Sequence, residues 1–315
     1  MQLILINLGI LIVGFVLLIK GADFFVKGAS TIARKFGVPQ IVIGLTVVAM
    51  GTSAPEAAVS ISAAMSGNAD ITIGNVIGSN IMNVFVILGL TALVAPVVVD
   101  RSAIKVDMPF MLGISLLLLP LGLTGQIVNR WEGLLLLAVF TSYLIYLFRR
   151  ALKDSTEKDE LRPTYGQGSM WMLVWTILGL IMIVAGSKCI VYSASEIAFE
   201  LGVSQRMVAL TIVAFGTSLP ELVTSVTAAR RGNTGLAIGN IVGSNIFNIL
   251  FVTGLTAAIT PVAFRNAFII DTSIAAFAAL VLWLFSLKSE RLGRVSGVIM
   301  LVCYAAYFAF ILFLK

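Results

Sequence analysis

Apolar runs long enough to cross a bilayer recur about ten times in 315 residues, and no other feature narrows the fold as far. A hydrocarbon core about 30 Å thick takes roughly 20 helical residues. Inside it there is no water, so every backbone N–H and C=O must be satisfied within the protein, which leaves helices or closed barrels. The runs fall near 3–33, 40–65, 71–95, 106–124, 131–148, 171–197, 205–229, 236–259, 267–287 and 294–314. Their lengths suit helices, and the chain is expected to be an all-α polytopic membrane protein. A composition of 59% hydrophobic and 11% charged residues agrees.

Charge and reactive side chains then exclude several classes. The net charge of +6 would suit nucleic acid, but the basic residues sit in short loops between apolar runs, where the positive-inside rule accounts for them. With both termini outside, fourteen basic residues fall in interior loops, Arg34, Lys35, Arg230 and Arg231 among them, against five in exterior ones. That bias predicts a multi-pass protein of the cell membrane with both termini outside. Trp131, Trp171 and Trp175 stand near segment starts, as interfacial anchors would. The first apolar run has no basic segment before it and is expected to be a retained helix. Cys189 and Cys303 lie in apolar segments and are expected to be inert thiols. The chain has no histidine, and no nucleophile–base pair for an enzyme.

The chain also repeats itself. Glu221 minus Glu56 is 165, and the same offset pairs Gly37 with Gly202, Gly51 with Gly216, Asn75 with Asn240, Ser79 with Ser244, Asn83 with Asn248 and Pro96 with Pro261. Beyond the prolines the register slips. The expected organisation is a first five-helix repeat over 1–148, a cytoplasmic linker over 149–170 and a second five-helix repeat over 171–315. Five is odd, so the second repeat enters the membrane from the opposite side. Inverted repeats of this kind build carriers that bind their substrate near the midplane.

The most polar parts of these apolar runs are the repeated ones. GTSAPE (51–56) followed by GNVIGSNIMN (74–83) returns as GTSLPE (216–221) and GNIVGSNIFN (239–248). Pro55 and Pro220 have no N–H, so the carbonyls of Gly51 and Gly216 lose their helical partner. Carbonyls near Ala49 and Thr52, and near Ala214 and Thr217, are then expected to become available. Thr52 and Ser53 share a helix face with Glu56, as Thr217 and Ser218 do with Glu221. Asn75, Ser79 and Asn83 step by four along one face, mirrored by Asn240, Ser244 and Asn248. Gly74, Gly78, Gly239 and Gly243 permit close helix approach.

A single proline here would be a kink and a single Asn interhelical glue, but a charged side chain at a helix centre costs roughly 2.5–3.5 kcal/mol. Two glutamates about 5 Å apart repel by about 3 kcal/mol at an effective dielectric near 20. No lysine or arginine stands in either motif. The pair therefore calls for a cation or a proton, and an all-oxygen donor set suits Na⁺ and Ca²⁺ better than Mg²⁺, copper, zinc or nickel. Lys20, Asp23 and Lys27 are expected to be interfacial or snorkelling.

On these two motifs the chain resembles the cation/calcium exchanger superfamily, and within it the prokaryotic sodium/calcium exchangers. The resemblance covers essentially the whole chain. It implies ten helices in two inverted repeats, and a metal site made by Glu56, Glu221, Thr52, Ser53, Ser79, Thr217, Ser218 and Ser244, the carbonyls of Ala49 and Ala214, and Asn83 and Asn248. It implies a secondary antiporter exchanging Na⁺ for Ca²⁺ by alternating access, with the first and sixth helices sliding across a fixed core. No cofactor and no obligatory protein partner beyond the lipid bilayer is expected. A Ca²⁺/H⁺ exchanger is the alternative, and a passive cation channel the alternative from another class. Potassium-dependent relatives carry an aspartate where Asn248 stands, so the chain resembles the potassium-independent type.

Overall fold

The computed structural model describes residues 2–65, 70–123, 125–156, 169–202 and 214–314. In chain order the helices are α1 (Gln2–Lys35), α2 (Gln40–Thr52), α3 (Ala54–Met65), α4 (Thr72–Val94), α5 (Ala103–Leu123), α6 (Arg130–Thr156), α7 (Ser169–Glu200), α8 (Ala214–Thr217), α9 (Leu219–Arg230), α10 (Thr234–Ile259), α11 (Ala267–Ser289) and α12 (Arg294–Leu314). Among the described residues, eight are long and apolar enough to cross a membrane, and α2 with α3 makes a ninth span bent by 48°. The expected segment at 205–229 falls partly on residues outside those described, and only its end appears, as α8 and α9. Within the span of the expected linker, 149–170, α6 continues to Thr156 and α7 starts at Ser169. Residues 157–168 lie outside the described ones.

α4 and α10 are buried along most of their length and form the centre, while α1 and α12 leave most of their surface outward. α1 and α7 lie antiparallel in close contact, because glycines line both faces: a methyl at Gly21 would sit 2.8 Å from the Gly179 carbonyl oxygen, and one at Gly179 only 2.5 Å from the Phe25 nitrogen. Gly44 and Gly239 bring α2 against α10 in the same way, with a Cβ on Gly44 reaching 2.8 Å from Gly239 Cα. Gly243 also sits against α2, as expected. Gly74 instead faces the Phe268 ring at ordinary contact distance, and Gly78 meets nothing within 4 Å among the described residues.

The two halves match in backbone detail. Four short strands, β1 (Val97–Val98), β2 (Ile127–Val128), β3 (Val262–Ala263) and β4 (Arg291–Leu292), pair antiparallel across the halves, β1 with β4 and β2 with β3. Among the described residues two non-glycines have left-handed backbone, Gln126 (φ 57°) and Glu290 (φ 47°), and they occupy equivalent turns. Asn83–Leu88 and Asn248–Thr253, equivalent at the 165-residue offset, are both wide π turns. Such turns interrupt α-helices frequently at functional positions.

The register slip has a physical cause. Phe264 is equivalent to Val99 at an offset of 165, and both N–H groups bond the carbonyl of the left-handed residue, Phe264 to Gln126 at 2.8 Å and Val99 to Glu290 at 2.9 Å. Asp271 is equivalent to Asp107 at an offset of 164, each accepting a tyrosine hydroxyl, from Tyr307 at 3.1 Å and Tyr143 at 3.0 Å. Between these points the first half has a π turn, Ala103–Asp107, where the second half has plain α-helix. The extra residue is taken up in that wider turn.

Candidate cation site

Each GTSxPE motif breaks a helix as its proline requires. Ser218 (φ −92°, ψ 4°) and Ser53 (φ −84°, ψ 6°) leave helical geometry, and α3 and α9 begin immediately afterwards, with Glu56 and Glu221 in their first turns. A carboxylate there faces the positive end of the helix dipole. Ser-x-x-Glu also reads as a capping box, yet Ser218 makes no side-chain cap. Its hydroxyl lies 3.4 Å from Glu56 Oε1, and the Ser53 hydroxyl donates to Glu221 Oε1 at 2.7 Å. Each serine therefore serves the carboxylate of the other half.

The backbone around the breaks follows the expectation only in part. The Ala49 carbonyl keeps its helical partner, accepting the Ser53 N–H at 2.9 Å, because the missing proline N–H affects Gly51 and not Ala49. In the second half the Ser218 N–H turns to Phe215 at 3.2 Å and does not engage Ala214. The carbonyl released at Gly216 accepts the Ser187 hydroxyl of α7 at 2.7 Å. Ala22 stands at the equivalent place in α1 and has no hydroxyl to offer.

Four carboxamides complete the centre. Asn80 Nδ2 donates to the Asn245 carbonyl at 3.2 Å and Asn245 Nδ2 to the Asn80 carbonyl at 3.3 Å. Asn83 Nδ2 donates to Asn245 Oδ1 at 2.9 Å, and Asn248 Nδ2 to Asn80 Oδ1 at 3.2 Å. Every one of these bonds crosses between the halves. The Nδ2 groups of Asn75 and Asn240 donate within their own half, bracing the carbonyls of Glu56 and Glu221 at 3.2 and 3.3 Å and bonding Ser60 and Ser225 at 2.9 Å. The Thr52 hydroxyl lies 3.0 Å from Asn240 Oδ1.

What remains is a set of oxygens with nothing to bind. Glu56, Glu221, Asn83 and Asn248 are each 1% exposed, and among the described residues Glu56 Oε2, Glu221 Oε2, Asn83 Oδ1 and Asn248 Oδ1 have no hydrogen-bond partner; nor does the Ser244 hydroxyl. An unsatisfied buried polar atom costs about 1–3 kcal/mol, more when charged. Among the described residues no lysine or arginine pairs with either glutamate, and no three His, Cys, Asp or Glu side chains group together. The donors are thus mostly neutral oxygens around two acids, the chemistry of a hard cation.

Of the expected ligands, Thr52, Ser53, Glu56, Ser79, Asn83, Ser218, Glu221, Ser244 and Asn248 are buried, and Thr217 is half-buried at the edge of an open cleft. The bridging residues Asn80 and Asn245 escaped sequence reasoning, although both lie inside the repeated motif. Asp23 does more than snorkel, since it accepts two hydrogen bonds from Arg231 at 2.7 and 3.2 Å. Cys189 and Cys303 are free and half-buried.

Apolar spans closed around uncompensated acidic oxygens define a polytopic membrane transporter for cations. The family model described as "Sodium/calcium exchanger protein" matches residues 6–149 and again 171–313. The chain belongs to this family, and with it to the cation/Ca²⁺ antiporters. It is 42% identical to CaxA of Alkalimonas amylolytica, described as a candidate antiporter, over 94% of this chain and 95% of that one. It is 33% identical to sodium/calcium exchanger MaX1 of Methanosarcina acetivorans, over 97% and 98%. Among solved structures it is similar to the sodium-calcium exchanger NCX_Mj soaked with zero Na⁺ and Ca²⁺, with a TM-score of 0.86 and 32% identity, over 97% of this chain and 99% of that one.

Proposed function

We propose that the protein exchanges Na⁺ for Ca²⁺ across the cell membrane by alternating access, extruding Ca²⁺ as Na⁺ runs down its gradient. The observation that carries this reading is the matched set of unpartnered buried oxygens on Glu56, Glu221, Asn83 and Asn248. Two carboxylates balance one Ca²⁺ or two Na⁺, so the two ions compete for one place. The ligand set is Glu56, Glu221, Thr52, Ser53, Ser79, Asn83, Thr217, Ser218, Ser244 and Asn248, with the carbonyls of Ala49 and Ala214. Because Ser53 N–H already occupies the Ala49 carbonyl, that ligand uses its second lone pair.

Ten spans in two inverted five-helix repeats, over 1–148 and 171–315, fit the bonds across the halves, where that of Ser53 matches that of Ser218, that of Asn80 that of Asn245 and that of Asn83 that of Asn248. The loop charges favour both termini outside. MaX1 and NCX_Mj are both named sodium/calcium exchangers, which favours Na⁺ as the counter-ion. The same carboxylate oxygens accept protons, so Ca²⁺/H⁺ exchange is the competing reading. ⁴⁵Ca²⁺ uptake into proteoliposomes, with sodium and pH gradients imposed separately, decides between them. Uptake driven by an outward Na⁺ gradient and lost in Glu56→Gln and Glu221→Gln is expected; uptake driven by pH alone overturns Na⁺ coupling, and transport retained in both variants overturns the site.

A further inference from the structure

The two halves carry opposite charges at one equivalent position. Lys188 minus Asp23 is 165, and both stand mid-helix, Asp23 on α1 and Lys188 on α7. Gly14 meets Gly186 and Gly21 meets Gly179 along the antiparallel pair, so Lys188 lies level with residue 12 or so. At 1.5 Å per residue, the two charges are roughly 16 Å apart along the axis. They mark opposite ends of the site.

The surroundings of those ends differ. On the Asp23 side α1 rests along α9, and Arg231, just past the end of α9, binds Asp23 through two nitrogens at 2.7 and 3.2 Å. On the other side α7 stands off from α3, leaving an open cleft of about 910 Å³. The cleft reaches Pro55, Gly216 and Thr217 at the broken turns, and Lys188 is the one charged residue among the described residues that line it. The residue equivalent to Arg231 is Ser66, so the ion pair has no counterpart in the sequence of the first half.

We propose that Asp23 and Arg231 form a one-sided latch that holds the route along α1 and α9 shut while the cleft between α3 and α7 is open. This rests on the alternating-access reading. Closing the cleft and opening the other route requires α1 to leave α9, which parts the pair. Because the first half has a neutral serine in its sequence where the second has Arg231, the opposite conformation gains no such bond, and the resting balance tilts towards the cleft-open form.

The test reads each route with one reporter cysteine in a Cys189→Ala, Cys303→Ala background, reconstituted as the full chain. Ala58→Cys reports on the cleft, and Thr227→Cys, equivalent to cleft residue Ser62, on the closed route. An ion pair this exposed is worth a few-fold in an equilibrium, so Asp23→Asn and Arg231→Gln should each raise maleimide labelling at Thr227→Cys by roughly two- to fivefold. The exchange Asp23→Arg with Arg231→Asp should bring it back. Labelling unchanged in both single variants, or raised and not restored by the exchange, overturns the latch. Labelling of the unlatched background that never responds to Na⁺ or Ca²⁺ at either reporter overturns alternating access, and the latch with it.

Discussion

The Ser53 hydroxyl donates to Glu221 at 2.7 Å across 168 positions of sequence, while its equivalent, Ser218, lies 3.4 Å from Glu56. The two contacts are alike in kind and unequal in strength. Ser53→Ala strips a buried carboxylate of its better donor, and a bond of that sort is worth about 1–3 kcal/mol. Ca²⁺ affinity should fall roughly five- to hundredfold in Ser53→Ala and less in Ser218→Ala. Equilibrium ⁴⁵Ca²⁺ binding to the purified variants checks both, and a larger loss in Ser218→Ala would contradict the geometry.

Asn248 donates its Nδ2 to Asn80 and leaves its Oδ1 bare. An aspartate there can replace the donor only when protonated, and when ionised it adds a third negative charge beside Glu56 and Glu221. Asn248→Asp adds a titrating group to the site and should therefore change the pH dependence of Ca²⁺ exchange. A pH profile of uptake that superimposes on that of the unmodified protein would refute this.

α1 and α7 touch backbone to backbone at Gly179, where an added methyl would lie 2.5 Å from the Phe25 nitrogen. No flexible side chain can yield there. Gly179→Ala should cost about 1–3 kcal/mol, the usual range for overpacking, seen as a lowered melting temperature in detergent. Gly9→Ala, on the same helix pair but with nothing within 4 Å, is the control and should leave it unchanged.

Arg150 and Asp107 form an ion pair at 3.0 Å, their side chains 12% and 0% exposed, with Tyr143 and Ser102 bonded to the same two groups. Arg150→Met abandons a buried carboxylate and should destabilise by about 3–5 kcal/mol. Arg150→Met with Asp107→Leu removes both charges and should recover much of that loss. Thermal unfolding of the two variants side by side decides it.

The sequence showed the duplicated acids, the helix breaks and most of the oxygen set, because these follow from local rules: a proline frees a carbonyl and a four-residue step shares a face. It hid whatever depends on the partner across the interface. Asn80 lies one residue, about 100° of helix, beyond Ser79, so an argument from the Asn75–Ser79–Asn83 face passed it over. Only packing reveals that it meets Asn245. The bonds from Ser187 to Gly216 and from Arg231 to Asp23 escaped for the same reason, each joining helices whose adjacency no periodicity reports. The π turn at Ala103–Asp107 was visible as a change in offset, but its shape was not.

That single wide turn separates two kinds of likeness. The copies share their carboxamide bonds across the centre, where either copy's drift would spoil the other's contacts, and their registers part past the strands, where one holds a spare residue. Joint constraint thus binds each copy to the other's sequence at the shared centre, while the rims past the strands are free to diverge.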